Sequence, residues 1–193
     1  MAATSKQEPR IKPLPQSRWT PEVRQYFVAS EGAGCVGGEP RINVPLTLAN
    51  HLALAKAFQP FGSHLLLNSS LDKRTYELVT LRTAHLANSP YEWSKHEVAG
   101  RRAGLTDEQI EAIKAGPDSP VWTDSLDRAL LRVTDQLKHD TDIDDEHWAI
   151  LTDHFTTEQI MDMVMTIGMY AMLAMVLNAG RVQIEEGPLF TPA

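Results

Sequence analysis

The sequence predicts an all-α fold, and three observations support this fold class. Residues that favour helices, above all Ala, Leu, Met and Glu, are spread along the chain of 193 residues and dilute the β-branched residues. No run of alternating apolar and polar residues is long enough to build a sheet. Residues that begin and end helices recur between the apolar segments. We expect one helical domain over residues 19–186, preceded by an extended arm over 1–18 and followed by a tail over 187–193.

The first elements of this domain are a helix and a loop. Thr20 and Pro21 provide an N-cap and a first helical residue, so a helix begins there and runs to about Ser30. The glycines and prolines of residues 32–45 predict a loop. This loop lacks the preceding strand and the following Lys-Ser or Lys-Thr pair of a phosphate-binding loop.

Capping residues and helix breakers divide the rest of the chain into further helices. Ser70 or Asp72 caps one helix, and Thr106 with Gln109 has the spacing of a capping box at the start of another. The expected helices after the loop cover about residues 46–58, 61–68, 72–88, 90–103, 106–116, 123–139, 143–154 and 157–181.

Composition and charge argue against several classes of protein. The net charge is -7 and the basic residues are scattered, which argues against binding to nucleic acid. Cys35 is the single cysteine, so an internal disulfide cannot form. The first residues lack the apolar segment of a secretory signal, and we expect a cytoplasmic protein. The apolar stretch 163–177 is shorter than the ~20 residues that span a bilayer, so no membrane association is expected.

Six of the seven methionines lie between residues 161 and 175. Met161, Met165, Met169 and Met172 fall on one face of a helix, and other apolar residues surround them. Such a helix is buried on most sides. It could be a central core helix, a helix at a subunit interface, or an adaptable wall for an apolar ligand, because methionine conforms to irregular shapes.

The segment after Pro90 holds the best candidates for chemistry. Glu92 and His96 are four residues apart, so their side chains share one face of a helix. A carboxylate beside an imidazole can transfer a proton. The alternative is an exposed pair that only stabilises the helix. A metal site with a third ligand such as His85 is less favoured, and no metal is expected.

A longer pattern around this pair resembles the carboxymuconolactone decarboxylase family. The resemblance is strongest over about residues 70–116, and a weaker similarity lies in the last helix around residues 171–181. It also extends to the redox members of the superfamily, the AhpD-type alkylhydroperoxidases. The residues that carry it are Arg74–Ala84, Asn88, Tyr91–Trp93, His96, Ala99, Ala103–Thr106 and Ile110.

This resemblance implies an AhpD-like helical bundle that assembles as a homo-oligomer, either a trimer or hexamer or a dimer. Redox members have a Cys-x-x-Cys pair, whereas the matching positions here are Trp93 and His96 or their neighbours, and neither is cysteine. Without a thiolate, peroxide reduction is not expected. Some 60–70 additional residues precede the signature, and they could cap the pocket or extend the oligomer.

The resemblance also implies roles for individual residues. His96 is the expected proton donor or acceptor, with Glu92 as its partner, and Arg82 is expected to bind a substrate carboxylate. The alternative for Arg82 is a salt bridge to a nearby glutamate. Tyr91, Trp93 and His85 are the substrate-binding candidates, with helix packing as the alternative for the two aromatic residues.

The leading hypothesis is a cofactor-independent decarboxylase or proton-transfer enzyme that acts on a small unsaturated or lactone carboxylic acid. Its partner is therefore a small molecule rather than a nucleic acid or a membrane. Two alternatives are an alkylhydroperoxidase-type oxidoreductase and a non-catalytic helical oligomer that binds an apolar ligand along the methionine helix. Lys95 and Ser94 are expected to face solvent.

Overall fold

The computed structural model describes residues 8–185 and confirms the all-α prediction. Two short 3-10 helices, Gln16–Arg18 and Ala49–His51, accompany the α-helices of this part of the chain. The α-helices in chain order are α1 (Pro21–Ala29), α2 (Asn43–Leu48), α3 (Leu52–Leu67), α4 (Lys73–Leu86), α5 (Pro90–Arg102), α6 (Asp107–Ala115), α7 (Ser125–His139), α8 (Asp145–His154) and α9 (Thr157–Gly180).

The helix starts follow the capping residues of the sequence. The side chain of Thr20 accepts a hydrogen bond from the amide of Val23, and the Asp72 side chain rather than Ser70 caps α4. Thr106 and Gln109 form the predicted capping box of α6. These local signals were sufficient because each cap depends on residues within a single turn.

The region before α4 differs from the prediction. In place of helices over 46–58 and 61–68, the structure has the short α2, a 3-10 turn and one continuous helix, α3, that passes through Pro60. A proline inside a helix removes one amide hydrogen bond. Pro60 lies on the exposed side of α3, where water can satisfy the carbonyl that loses its partner.

The predicted loop contains a small hairpin. Strand β1 (Cys35–Val36) pairs antiparallel with β2 (Glu39–Pro40). The two residues between the strands, Gly37 and Gly38, have φ angles of 61° and 72°, which suit a tight two-residue turn and favour glycine. The sequence did not predict this hairpin because each strand has only two residues.

Helix α4 lies at the centre of the fold and packs against α5, α6, α7 and α9. All of its residues from Thr75 to Ala84 are buried. The main core consists of apolar side chains from these helices, among them Leu78, Leu81, Ile113 and Leu131. A side chain on α4 is therefore shielded from solvent by the helices around it.

Two ion pairs hold α4 against α7. Arg74 donates to both carboxylate oxygens of Asp127 at 2.6 Å, and Arg82 donates to both oxygens of Asp135 at 2.6 and 3.0 Å. Both pairs span 53 residues of sequence, so the two helices run side by side in the same direction. Bidentate pairs of this kind fix the register between the helices.

Helix α9 combines a buried face with an exposed one. Its length and hydropathy match those of a membrane span, but a core helix meets the same criteria. Met163, Ile167 and Tyr170 are buried in the main core. We therefore interpret α9 as a core helix, one side of which exposes Met161, Met165, Met172 and Met175.

The two ends of the described chain meet near the end of α9. The amides of Arg10 and Ile11 donate to the carbonyl of Gly180. Residues 182–185 follow α9 and return over the protein surface towards Asn43, whose side chain donates to the carbonyl of Gln183 at 2.8 Å. The beginning of the predicted arm and the whole predicted tail lie outside the described residues, and the domain boundaries stay a prediction.

Candidate active site

A cavity lies between the N-terminal elements and the helices α3, α5 and α9. Its volume is about 110 Å³, against roughly 10–15 Å³ for one water molecule on the same measure. It therefore has room for a small organic molecule. Its walls are mainly apolar, and residues that precede the family signature line one side. The lining includes Tyr26, Gly34, Ile42, Val44, Phe58, Leu66, Tyr91, Glu92, Lys95, His96, Met169, Tyr170, Leu173 and Leu177.

Glu92 is the most unusual group in this cavity. Its side chain is 2% exposed, and neither carboxyl oxygen has a hydrogen-bond partner among the described residues. Burial raises the pKa of Glu92 to about 7, although the nearby His96 acts to lower it. Ser89 is near, but its hydroxyl also forms no hydrogen bond within the described chain. Near neutral pH, Glu92 can therefore be an acid or a base.

His96 lies one turn after Glu92 on α5 and is held by a second carboxylate. Its Nδ1 atom is 2.7 Å from Oε2 of Glu77, which lies on α4. Burial alone would lower the pKa of His96, but the charges of Glu77 and Glu92 outweigh burial and raise it. The Glu77 contact orients Nδ1 towards α4, which leaves Nε2 as the nitrogen for a ligand in the cavity.

Two tyrosines support the imidazole from the other side. The ring of Tyr170 on α9 meets His96 edge to face, with 4.7 Å between ring centroids. The hydroxyls of Tyr170 and Tyr76 are 2.8 Å apart and share a hydrogen bond. Burial raises the pKa of both phenols, so both stay neutral hydrogen-bond donors.

Lys95 also lines the cavity, and the expectation that it faces solvent is wrong. Its side chain is 7% exposed, and its ammonium forms an ion pair with Glu185, which follows α9. The Glu185 carboxylate also accepts hydrogen bonds from the Tyr91 hydroxyl and the Asn43 amide. A partner distant in sequence makes the burial of this lysine possible.

Arg82 does not reach the cavity. Its guanidinium is engaged by Asp135 and by the carbonyl of Ile113 at 2.7 Å, and it is not among the described residues of the lining. The alternative of a salt bridge is correct for Arg82, but its partner is Asp135, 53 residues away, and not a nearby glutamate.

Trp93 and His85 also lie away from the cavity. Their rings meet edge to face at 6.2 Å, and the ammonium of Lys114 lies 4.8 Å from the centroid of the Trp93 ring. They form a packing contact between α4, α5 and α6. Of the predicted site residues, the structure brings Glu92, His96 and Tyr91 together and places Arg82, Trp93 and His85 elsewhere.

Cys35 cannot provide a reactive thiolate in this conformation. It is fully buried in the N-terminal cluster and is not part of the described cavity lining. Burial raises the pKa of its thiol to about 12, so the thiol stays protonated at neutral pH. Within residues 8–185, no group of three or more His, Cys, Asp or Glu side chains could hold a metal ion.

Glu77, Tyr170 and Lys95 are site residues that the sequence analysis missed. Glu77 gave one signal, because an acid flanked by Tyr76, Leu78 and Val79 requires a partner if it is buried. No sequence pattern indicated Tyr170, which lies among the methionines of α9. Lys95 could not be recognised, since its partner Glu185 is 90 residues away.

The described residues form a helical fold around an apolar cavity, and the sequence has no Cys-x-x-Cys pair. Residues 53–136 match the model of the carboxymuconolactone decarboxylase family. This match confirms, over that region, the resemblance drawn from the sequence. No curated protein matches the chain.

Several solved structures have the same fold. An uncharacterized peroxidase-related protein from Silicibacter sp. has a TM-score of 0.75 and 21% identity over 96% of each chain. A peroxidase-related protein from Ralstonia eutropha with an alkylhydroperoxidase AhpD core has a TM-score of 0.73 and 19% identity, over 93% of this chain and 94% of that one. A variant of the debrominase Bmp8, in complex with 2,3,4-tribromopyrrole, has a TM-score of 0.71 and 19% identity, over 94% of this chain and 95% of that one.

Proposed function

We propose that the cavity is the active site of a cofactor-independent enzyme that decarboxylates, or moves a proton on, a small unsaturated or lactone carboxylic acid. The observation that supports this most strongly is Glu92, a buried carboxyl group without a hydrogen-bond partner in the described chain, directly beside His96. A group of this kind destabilises the fold. The loss of stability that the unpaired carboxyl group of Glu92 causes is explained if this group reacts with a ligand.

The charge state of the site suits proton transfer. Below a pH of about 7, Glu92 is protonated, and the raised pKa of His96 favours its imidazolium form beside the Glu77 carboxylate. Two groups with raised pKa values then face the cavity with protons to give. General acids are most effective when their pKa lies near the working pH.

In the proposed decarboxylation, the bond between the substrate carbon and its carboxylate breaks, and carbon dioxide leaves. The bonding electrons pass into the conjugated system and form an enolate. The imidazolium of His96 stabilises this anion. Glu92 transfers its proton to the carbon, and the resulting carboxylate regains a proton from water. No oxidant or reductant is consumed.

The walls of the cavity support a small and largely apolar substrate. Met169, Leu173 and Leu177 on α9 and Phe58 on α3 cover much of the surface. Apolar walls weaken the solvation of charged groups and so strengthen the electrostatic contacts that the substrate makes inside. They also disfavour strongly hydrated substrates.

A panel of unsaturated and lactone carboxylic acids, assayed for release of carbon dioxide and for exchange of solvent deuterium into the product, tests this function. We expect turnover of at least one acid, and the variants His96→Gln and Glu92→Gln should lower it by a factor on the order of 100 or more. Glu111→Gln, which alters an exposed carboxylate on α6, is the matched control.

Two outcomes would redirect the assignment. Unchanged turnover in His96→Gln and Glu92→Gln would remove the proposed mechanism. Peroxide consumption that is lost in Cys35→Ser would instead favour thiol chemistry, which the buried and protonated thiol does not support. Binding of apolar ligands with no turnover of any acid would favour the non-catalytic alternative.

A further inference from the structure

The carboxylate of Glu185 occupies a site built from three donors. Lys95 contributes its ammonium, Tyr91 its hydroxyl and Asn43 its backbone amide. Each donor comes from a segment remote from Glu185 in sequence. A cation with two neutral donors around one carboxylate is a common arrangement for binding a carboxylic acid.

This site adjoins the proposed reaction centre. Lys95 and Tyr91 line the cavity and are neighbours of His96 and Glu92 on α5. The ammonium of Lys95 lies 5.3 Å from the centroid of the Tyr91 ring. A ligand that reached these donors would therefore lie within reach of the proton-transfer pair.

Glu185 is held more loosely than the donors it contacts. Its side chain is 21% exposed, whereas that of Lys95 is 7% exposed. It belongs to the short segment 182–185, which rests on the protein through the Asn43–Gln183 hydrogen bond and a small apolar cluster with Tyr91 and Leu177. A short segment outside the helices opens locally at a lower free-energy cost than a core helix does.

We propose that Lys95, Tyr91 and the Asn43 amide form the carboxylate subsite of the cavity, and that Glu185 occupies this subsite when no ligand is bound. A ligand carboxylate displaces Glu185 and takes over its three hydrogen bonds. Lys95 thus has the role that was expected for Arg82, which is to bind a substrate carboxylate. The proposal rests on the proposed function only for the class of ligand, a small carboxylic acid.

An internal competitor reduces the apparent affinity for a ligand. The apparent dissociation constant equals the intrinsic one divided by the fraction of molecules whose subsite is free. Removing the charge of Glu185 increases that fraction, so an anionic ligand should bind more tightly. A neutral ligand of the same shape does not pair with Lys95 and does not depend on a free subsite, so its affinity should change little.

Calorimetric titration with sorbate, and with its neutral carboxamide as a reference, tests this competition. In Glu185→Gln we expect the dissociation constant of sorbate to fall by a factor on the order of 10, with the carboxamide changed by less than about twofold. Glu111→Gln removes an equal charge from a distant exposed position and should leave both constants as in the unaltered protein.

The double variant Lys95→Met/Glu185→Gln tests the subsite itself. It removes both partners of the ion pair and leaves no buried charge without a partner, so we expect it to fold. It should lose the preference for sorbate over the carboxamide. Three results would overturn the proposal. The double variant could retain the preference for sorbate, or Glu185→Gln could bind sorbate no more tightly than the unaltered protein does. The third result is no binding of sorbate to Glu185→Gln at millimolar concentration. These titrations require no turnover, so they succeed or fail separately from the carbon dioxide assay.

Discussion

The carboxylate of Glu77 and the Nδ1 atom of His96 lie 2.7 Å apart, although 19 residues separate them in the chain. The contact joins two adjacent helices at a point where both side chains are buried. It determines which nitrogen of His96 faces the cavity and raises the pKa of the imidazole. In the proposed mechanism Glu77 is thus a positioning residue, since it would act on a ligand through His96.

Glu77→Gln should keep the hydrogen bond but remove the charge. We expect the pKa of His96 to fall, because burial then acts on it with less opposition. An NMR titration of the histidine ring reads this change directly. With a substrate that the unaltered protein turns over, kcat of Glu77→Gln should be lower by about 100-fold while KM changes little. An unchanged titration of His96 would contradict the positioning role, and Glu111→Gln controls for the loss of charge.

Stability should decrease as the pH rises towards neutrality. Between the ordinary pKa of 4.5 and the folded value of about 7, the folded protein holds a proton on Glu92 that the unfolded chain has lost. The free energy of unfolding therefore falls with rising pH, by up to about 3 kcal/mol at 1.36 kcal/mol per pKa unit. His96 contributes in the same direction, since its stabilising charge is lost as the pH rises through its raised pKa.

Glu92→Gln should flatten this dependence. Urea unfolding at pH 5 and pH 7.5 measures it, and the variant should gain stability relative to the unaltered protein at the higher pH. An equal slope in both proteins would mean that Glu92 is solvated and unshifted. Carboxyl groups with lowered pKa values, such as Asp144 and Asp162, change the free energy of unfolding near and below their ordinary pKa of 3.8. They therefore do not affect the comparison between pH 5 and pH 7.5.

Arg82→Met should destabilise the fold by about 3 kcal/mol, because it leaves Asp135 without its bidentate partner. The side chains of this pair are 9% and 18% exposed. Arg132→Met breaks the pair with Asp118, where the side chains are 40% and 80% exposed, and should have only a small effect. Urea midpoints of the two variants measure the difference. Equal midpoints would contradict the structural role of Arg82.

Cys35 should react with a thiol reagent only when the protein opens. The thiol is fully buried and its pKa is raised to about 12. With Ellman's reagent at pH 8 we expect slow modification of the native protein and rapid modification in urea. Rapid modification without denaturant would restore the thiol-based alternative.

The expected homo-oligomer would place the exposed methionines of α9 at a subunit contact. Met161 and Met175 are 62% and 67% exposed, which is unusual for large apolar side chains. Light scattering should give a mass that is a multiple of 21.5 kDa. Met165→Lys with Met172→Lys should lower that mass, whereas Val28→Lys on α1 should not. A single-subunit mass for the unaltered protein would refute the expectation.

The sequence was informative wherever structure depends on neighbouring residues. The caps at Thr20 and Thr106 and the shared face of Glu92 and His96 all follow from spacings within one or two turns. The sequence did not predict the position of a side chain whose contact partner is distant in the chain. Arg82 looked free for a substrate because Asp135 lies three helices later, and Lys95 looked exposed because its partner Glu185 follows α9. The break predicted between residues 58 and 61 was wrong for another reason. A helix tolerates a proline where that side faces water, and Pro60 lies on the exposed side of α3.

On helix α9, Met169 lines the cavity, whereas Met165 and Met172, on the adjoining part of the helix surface, are exposed. A helix with its side chains measures roughly 10–12 Å across. A second subunit packed on the exposed methionines would therefore lie within that distance of a ligand in the cavity. In such an assembly, a change at the subunit contact would reach the ligand site through one helix.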